Sequence, residues 1–285
     1  MQFHVLGTVR IMTEGGDLLA GCGPRPRSLA ALLMVRAGRD VPADVLLDWL
    51  WGDRAPTSRN ALHQHAYRLR RALKADAAAT DRLHTSGGSY RLDVADAELD
   101  LTRFRALARQ ARRDLARARP ESAISALRRA AALWTGPPLA GCAVDSLSAS
   151  AHVQALTEER LGVHELLAAT EVATGSGAAA LADLTRLIAR YPLRERLHGL
   201  LMTALARQGR RAEALAAYAA AAALLDEQGL RPGAELRAVH ASVLADAVPD
   251  QRRIPAHATH GARVVRPARR SIARRPPARQ PAVRG

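Results

Sequence analysis

Hydrophobic and polar residues alternate at the beginning of the chain and then change to helical spacing. Residues 3 to 11 carry an apolar residue or glycine at every second position, which predicts one half-buried strand, and Glu14-Gly15-Gly16-Asp17 then predicts a turn. Leucines at helical spacing follow from residue 29, with Gly38 placed to end that helix. A second short helix is expected from about Pro42, a favourable first-turn residue, to Gly52.

The stretch RNALHQHAYRLRRALK, residues 59 to 74, predicts a third helix that Thr57 or Ser58 can cap. Its apolar positions form one stripe at the helical period: Leu62, Ala66, Leu69 and Leu73. The other side is basic and polar: Arg59 and His63 near the N-terminal end, then Gln64, Tyr67, Arg68, Arg71 and Lys74.

The segment from residue 83 to residue 92 predicts a β-hairpin, because Ser86-Gly87-Gly88-Ser89 separates two short alternating runs. Three helices followed by a hairpin is the order of a winged helix. For an isolated helix of this composition, a solvated basic face is the more common interpretation. The two preceding short helices, the cap and the following glycine-rich hairpin favour DNA binding instead. A helix fits the major groove, arginine can bond to guanine and glutamine to adenine, and further cations can neutralise phosphates.

From about residue 98 the pattern is helical, and it contains a repeat of 34 residues. The first unit carries Leu167, Gly175, Ala180, Leu184 and Leu187, and the second carries Leu201, Gly209, Ala214, Tyr218 and Ala221. This period, with a glycine at the turn and a small residue in the second helix, is typical of tetratricopeptide helix hairpins. We interpret Leu201, Ala214 and Tyr218 as packing residues, although such repeats also form concave binding surfaces. A last helix is expected from Gly233 or Ala234 to Ala245.

The formal net charge of +15 is unevenly distributed along the 285 residues. It is +4 over residues 1 to 95, +2 over 96 to 249 and +9 over 250 to 285. The last segment is rich in arginine and proline and has too little apolar surface to fold, so we predict a disordered basic tail. Such a tail can add non-specific DNA affinity, serve as an interaction arm or simply remain solvated, and our hypothesis is the first.

Other functional classes receive little support from the sequence. Cys22 and Cys142 stand alone, which predicts neither a disulfide framework nor a zinc site. His63 and His65 point to different sides of their helix and cannot share a metal ion. Lys74 is the single lysine and precedes alanine, so no Walker-type ATP site is formed. We expect no catalytic residues, cofactor, metal or membrane span, and a cytoplasmic location.

Several motifs together resemble the Streptomyces antibiotic regulatory protein (SARP) family. GPRPRSLAALL, DWLWGDRAPTSRNALHQHAYRLRRALK and GGSYRLDV are similar to that family's OmpR-type winged helix. DLTRFRAL, ALRRAAALWTGPPL, RYPLRERLHGLLMTALARQGRRAEALAAY and GLRPGAELRAVHASVL are similar to its bacterial transcriptional activator domain. The resemblance spans about residues 2 to 246.

This resemblance implies a mainly α-helical fold in two domains. The first is an OmpR-type winged helix-turn-helix with a small β-sheet and a wing hairpin at residues 1 to 95. The second is an all-α tetratricopeptide-like domain at residues 98 to 246, and the basic tail at 250 to 285 follows it.

The implied function is transcriptional activation of a secondary-metabolite gene cluster, such as one for an antibiotic. The protein would bind tandem direct repeats in double-stranded promoter DNA, recruit RNA polymerase holoenzyme and associate with the nucleoid. Matched positions imply DNA contacts by Arg59, Gln64, Tyr67, Arg68 and Arg71, and contacts by the wing through Gly88, Tyr90 and Arg91. Whether two molecules form a homodimer on DNA stays open.

A helical-repeat adaptor that binds partner proteins is the alternative from a different functional class. Its winged helix would be degenerate and would bind nucleic acid only without sequence preference. Sequence-indifferent, salt-sensitive DNA binding would indicate the adaptor, whereas a preferred site that survives competitor DNA would indicate the activator.

Overall fold

The computed structural model describes residues 1–54, 59–74, 81–143 and 146–246. The strands among these residues lie in the first third of the chain: β1 (Gln2–His4), β2 (Arg10–Thr13), β3 (Gly16–Asp17), β4 (Val41–Pro42), β5 (Leu83–Ser86) and β6 (Ser89–Leu92). The helices there are α1 (Pro24–Val35), α2 (Ala43–Trp51) and α3 (Asn60–Leu73). Those of the second part are α4 (Asp100–Ala116), α5 (Pro120–Ala132), α6 (Leu147–Ala173), α7 (Gly177–Arg190), α8 (Glu195–Arg207), α9 (Arg211–Asp226) and α10 (Ala234–Leu244). The predicted fold class, a winged helix followed by a helical domain, is confirmed.

The N-terminal alternation does not form the single strand that we expected from residue 3 to residue 11. β1 and β2 pair antiparallel with each other, and β3 completes a three-stranded sheet. Between β1 and β2 the backbone bonds to distant segments instead. The Asp100 carboxylate accepts from the amides of Val5 and Leu6, and the carbonyl of Leu6 accepts from the Thr135 amide at 2.9 Å. These long-range bonds replace the strand pairing that alternation alone would predict.

The winged helix is formed by α1, α2, α3 and the hairpin of β5 and β6. The hairpin turns at Gly87 and Gly88, which have φ values of 55° and 78°, as a tight hairpin turn requires. β4 pairs with β6 and was not predicted, because two residues are too few to show a pattern. Pro42 therefore belongs to β4, and α2 begins one residue after it. The predicted caps Thr57 and Ser58 lie outside the described residues.

The second part stacks helix hairpins as the 34-residue repeat predicts. Gly175 joins α6 to α7 and Gly209 joins α8 to α9, and both have a positive φ, 86° and 74°. Ala180 and Ala214, which follow these turns, are completely buried where neighbouring helices pack closely. The predicted last helix corresponds to α10, which ends one residue earlier than expected.

The winged helix and the first helices of the second part share one hydrophobic core, which runs from Phe3 in β1 to Leu167 in α6. Polar contacts reinforce this junction. The Ser146 hydroxyl caps α6 by accepting from the Ala149 amide at 3.1 Å, and it also donates to the Trp49 carbonyl of α2 at 3.0 Å. The Trp49 ring meets His152 of α6 edge to face at 4.8 Å. α2 is therefore fixed directly to α6.

No helix within the described ranges is both long and apolar enough to cross a membrane.

Candidate DNA-binding surface

Helix α3 places its apolar stripe inside and its basic face outside, as the sequence predicts. Leu62, Ala66, Leu69 and Leu73 are buried and belong to the core that α1 and α2 also line. The residues proposed for DNA contact on this helix all lie exposed: Arg59, His63, Gln64, Tyr67, Arg68, Arg71 and Lys74. Tyr67 is 64% exposed, so a large aromatic ring projects from the middle of this face.

The cations of α3 differ in how far acidic neighbours neutralise them. Arg59 binds the Asp44 carboxylate at 2.9 Å, and Lys74 lies 3.9 Å from Asp81. Arg68 and Arg71 form no ion pair within the described part of the chain. These two guanidinium groups therefore keep their full charge and donor capacity for an outside anion.

The turn of the wing lies beside the N-terminal end of α3. A Cβ atom at Gly88 would lie 3.5 Å from Nη1 of Arg59, and the Gly88 carbonyl accepts from the Ala43 amide at 3.0 Å. The hairpin is thus fixed to the start of α2, and its exposed turn continues the basic surface of α3.

Two of the predicted wing contacts do not have the expected surroundings. Tyr90 is 2% exposed and faces the core, and burial raises the pKa of its hydroxyl. We therefore correct its assignment from DNA contact to wing packing. Arg91 is partly exposed, but it pairs with Asp93 at 3.0 Å and Asp40 at 3.6 Å, which reduces the charge it offers to a phosphate.

Arg70 is a positioning residue that sequence reasoning left out of the site. Its guanidinium donates to the Leu83 carbonyl at 3.2 Å and to the Thr85 hydroxyl at 3.0 Å, both in β5. These bonds hold the wing against α3. Its place between the buried and outer faces of α3 is the one sequence signal that separates it from Arg68 and Arg71.

His65 packs as an aromatic side chain and does not extend the exposed face. Its ring lies 5.7 Å from that of Trp51, and its Nδ1 atom is buried without a hydrogen-bond partner in the described structure. Burial lowers the pKa of His65, and the nearby charges of Arg68 and Arg25 lower it further. The His65 ring therefore packs α3 against Trp51 at the end of α2. Across residues 1–54, 59–74, 81–143 and 146–246, no three His, Cys, Asp or Glu side chains cluster as metal ligands would.

Two family models match this chain, one for each part of the fold. The model described as "Transcriptional regulatory protein, C terminal" matches residues 20–92, which include α1, α2, α3 and the wing. The model described as "Bacterial transcriptional activator domain" matches residues 99–244, which are the helices α4 to α10.

Similar curated proteins include regulatory proteins from Streptomyces. The transcriptional regulator RedD of Streptomyces coelicolor is 37% identical over 253 residues, covering 86% of this chain and 71% of RedD. The regulatory protein DnrI of Streptomyces peucetius is 32% identical over 252 residues, covering 86% of this chain and 92% of DnrI. The regulatory protein AfsR of Streptomyces coelicolor is 39% identical over 251 residues, but the match spans only 24% of AfsR.

A solved structure has the same fold. It is that of Mycobacterium tuberculosis EmbR in complex with a low affinity phosphopeptide, which aligns with a TM-score of 0.81 and 30% sequence identity. The alignment covers 88% of this chain and 66% of the EmbR chain.

Proposed function

Because this chain belongs to the SARP family of transcriptional activators, we propose that it activates promoters by reading DNA with α3. In this proposal α3 enters the major groove, Arg68 and Arg71 contact bases or phosphates, and the turn at Gly88 contacts the neighbouring backbone. Arg59, His63, Gln64, Tyr67 and Lys74 complete the surface. Arg91 contributes weakly, since two carboxylates already bind it.

The observation that carries the proposal is the pair of unneutralised guanidinium groups on an exposed helix. Arginine bonds bidentately to guanine in the major groove, and each such contact discriminates against a wrong base by about 1–3 kcal/mol. The exposed ring of Tyr67 on the same helix can pack against a thymine methyl group or the sugar–phosphate backbone. A merely solvated face would not require the wing turn to lie beside the same helix end.

We further propose tandem direct repeats as the binding site, RNA polymerase holoenzyme as the partner of the helical domain, and a biosynthetic gene cluster as the target. The shared core, and the hydrogen bond from the Ser146 hydroxyl to the Trp49 carbonyl, support a role for the helical domain in contacting the polymerase. They hold the helical domain in one orientation relative to α3, so DNA binding would also orient it toward the polymerase. We propose that the chain associates with the nucleoid and acts by binding DNA and protein, without catalysing a reaction. This is in keeping with its relatives, which are transcriptional regulators.

Selection from random duplex DNA tests the proposal. The 285-residue chain should be incubated with a random library at near-physiological salt and excess competitor DNA. Enrichment of one short motif, repeated in tandem, is the expected result. Equal recovery of all sequences by folded protein would refute sequence-specific binding and would favour an adaptor that uses its helical repeats for protein contacts.

Recruitment of polymerase is tested separately. Purified holoenzyme and a promoter with the selected site should yield more transcript when the chain is added, and a promoter with a scrambled site should not respond. If the chain binds the site but the amount of transcript does not increase, the proposal of direct recruitment is refuted and the proposal of DNA recognition is not affected.

A further inference from the structure

A cavity of about 740 Å³ opens between α5, α6 and α7, remote in sequence from the proposed DNA-binding helix. Its floor is apolar and includes Leu161, Leu167 and Leu187. Cavities of roughly 300–1,000 Å³ are the size of small-molecule sites. The helical domain therefore contains a space that its own packing does not fill.

Arginine side chains dominate the polar lining of this cavity. Glu171 accepts from Arg128 at 2.7 Å, and Asp183 pairs with Arg186 one turn away on α7. These two pairs are neutral overall. Arg160 and Arg190, which also line the cavity, form no ion pair with any residue that the structure describes. The cavity thus has an excess of two positive charges.

Each unpaired guanidinium lies against an aromatic ring. Arg160 is 5.0 Å from the centre of the Trp134 ring and donates to the Gly136 carbonyl at 3.2 Å. Arg190 is 5.7 Å from the Tyr191 ring and donates to its hydroxyl at 3.2 Å. Such contacts fix the guanidinium groups in place and leave other N–H donors available.

Trp134 forms a nearly buried aromatic part of the cavity lining. It is 7% exposed, and its indole N–H finds no acceptor within the described structure. A buried donor without a partner is destabilising by about 1–3 kcal/mol.

We propose that this cavity, which we call the arginine pocket, binds a small organic anion with a flat apolar body. A carboxylate or phosphate of the ligand would accept hydrogen bonds from Arg160 and Arg190, and its flat body would lie on the leucine floor beside Trp134. His164, which also lines the cavity, forms no hydrogen bond in the described structure and offers a further polar contact.

The distribution of charge favours a small anion over an extended acidic peptide. A neighbouring cavity of about 350 Å³, formed by α7, α8 and α9, contains Arg210, and Glu213 binds that guanidinium at 2.6 Å. The unpaired positive charge therefore does not continue along the helical repeats. An acidic peptide would need such a continuous row of donors.

Calorimetric titration of the full chain with 2-naphthoate tests the proposal, with neutral 2-naphthamide as the matched ligand. We expect saturable binding of one 2-naphthoate in the arginine pocket and binding of 2-naphthamide weaker by about tenfold or more. Arg160→Gln and Arg190→Gln should each weaken the binding of 2-naphthoate by about tenfold or more. Arg112→Gln is the control, because Arg112 is exposed on α4 and forms no ion pair or hydrogen bond in the described structure.

Four outcomes would overturn the proposal. These are the absence of 2-naphthoate binding at millimolar concentration, equal binding by folded Arg160→Gln and Arg190→Gln variants, and equal binding of the neutral amide. The fourth is Arg160-dependent binding of a short polyglutamate peptide in place of 2-naphthoate, which would make the pocket a peptide groove. Weak binding to arginines elsewhere would be the same in all variants and would not imitate the expected difference. The DNA-binding proposal does not depend on any of these results.

Discussion

Replacing Arg68 by alanine tests the DNA contact on which the proposed function depends most. Arg68 is exposed and forms no ion pair or hydrogen bond within the described structure, so its removal breaks neither kind of interaction there. The free energy of unfolding should therefore change by less than about 0.5 kcal/mol. Any large loss of DNA affinity can then be assigned to the interface.

The size of that loss depends on what Arg68 contacts. A bidentate contact to guanine should cost about 1–3 kcal/mol on removal, which corresponds to about 5-fold to 150-fold in Kd. The loss would be confined to DNA that carries the preferred base. A phosphate contact would instead weaken binding to all sequences alike and lower the dependence of log K on log salt by about one unit.

Fluorescence anisotropy with the selected site, and with the same site changed at single base pairs, distinguishes these cases at two salt concentrations. Arg112→Ala is the matched control, since Arg112 is exposed on α4, well separated in sequence from α3. If Arg68→Ala binds every duplex as tightly as the parent and the control, α3 does not present Arg68 to DNA and the reasoning from unneutralised charge is wrong.

Three further predictions concern the rest of the chain. Asp100→Ala should lower the free energy of unfolding, measured in urea, by about 2–5 kcal/mol, because it leaves the buried amides of Val5 and Leu6 without an acceptor. Asp96→Ala, at an exposed position, is the control. Equal urea midpoints for Asp100→Ala and the parent would contradict the prediction. Removal of residues 250–285 should weaken binding to all DNA and reduce the salt dependence without changing the preferred site, whereas unchanged affinity and salt dependence would make the tail dispensable. Burial lowers the pKa of His65 and His164 below 6.5, so the unfolded chain takes up protons before the folded chain does, and the free energy of unfolding should decrease as pH falls below that value. Measuring the melting temperature between about pH 8 and 5 checks this prediction. An equally steep decrease after both histidines are replaced by glutamine would refute it.

The elements that repeat at a regular period were predictable from the sequence. The stripe of Leu62, Ala66, Leu69 and Leu73 fixed both the presence of α3 and the side it buries, because a helix brings every third or fourth residue to one face. The glycine-rich turn of the wing and the glycines at the turns of the helical repeats were also readable, since few residues other than glycine adopt a positive φ.

Predictions failed where distant contacts decide the local structure. The alternation of residues 3 to 11 predicted one strand, but the Asp100 carboxylate and the segment from Thr135 to Ala140 take over its hydrogen bonds. Tyr90 was expected to contact DNA, yet it is buried, because its side chain faces the hydrophobic core that α1, α2 and α3 also line. The contacts of Asp100 leave no periodic trace near residues 3 to 11, whereas Tyr90 shares the buried face of β6 with Leu92, two residues away.

The sequence by itself determined which residues are helical, which faces are apolar and which cations a recognition helix could present, because these properties depend on neighbours within one or two turns. Only the tertiary structure decided which of those cations are free. Asp44 lies in α2 and Asp81 lies just before β5, and their approach to Arg59 and Lys74 leaves Arg68 and Arg71 as the unneutralised pair. The arginine pocket has the same origin: its charge excess arises from side chains of α6 and α7 that only the packing of the helix hairpins brings to one cavity.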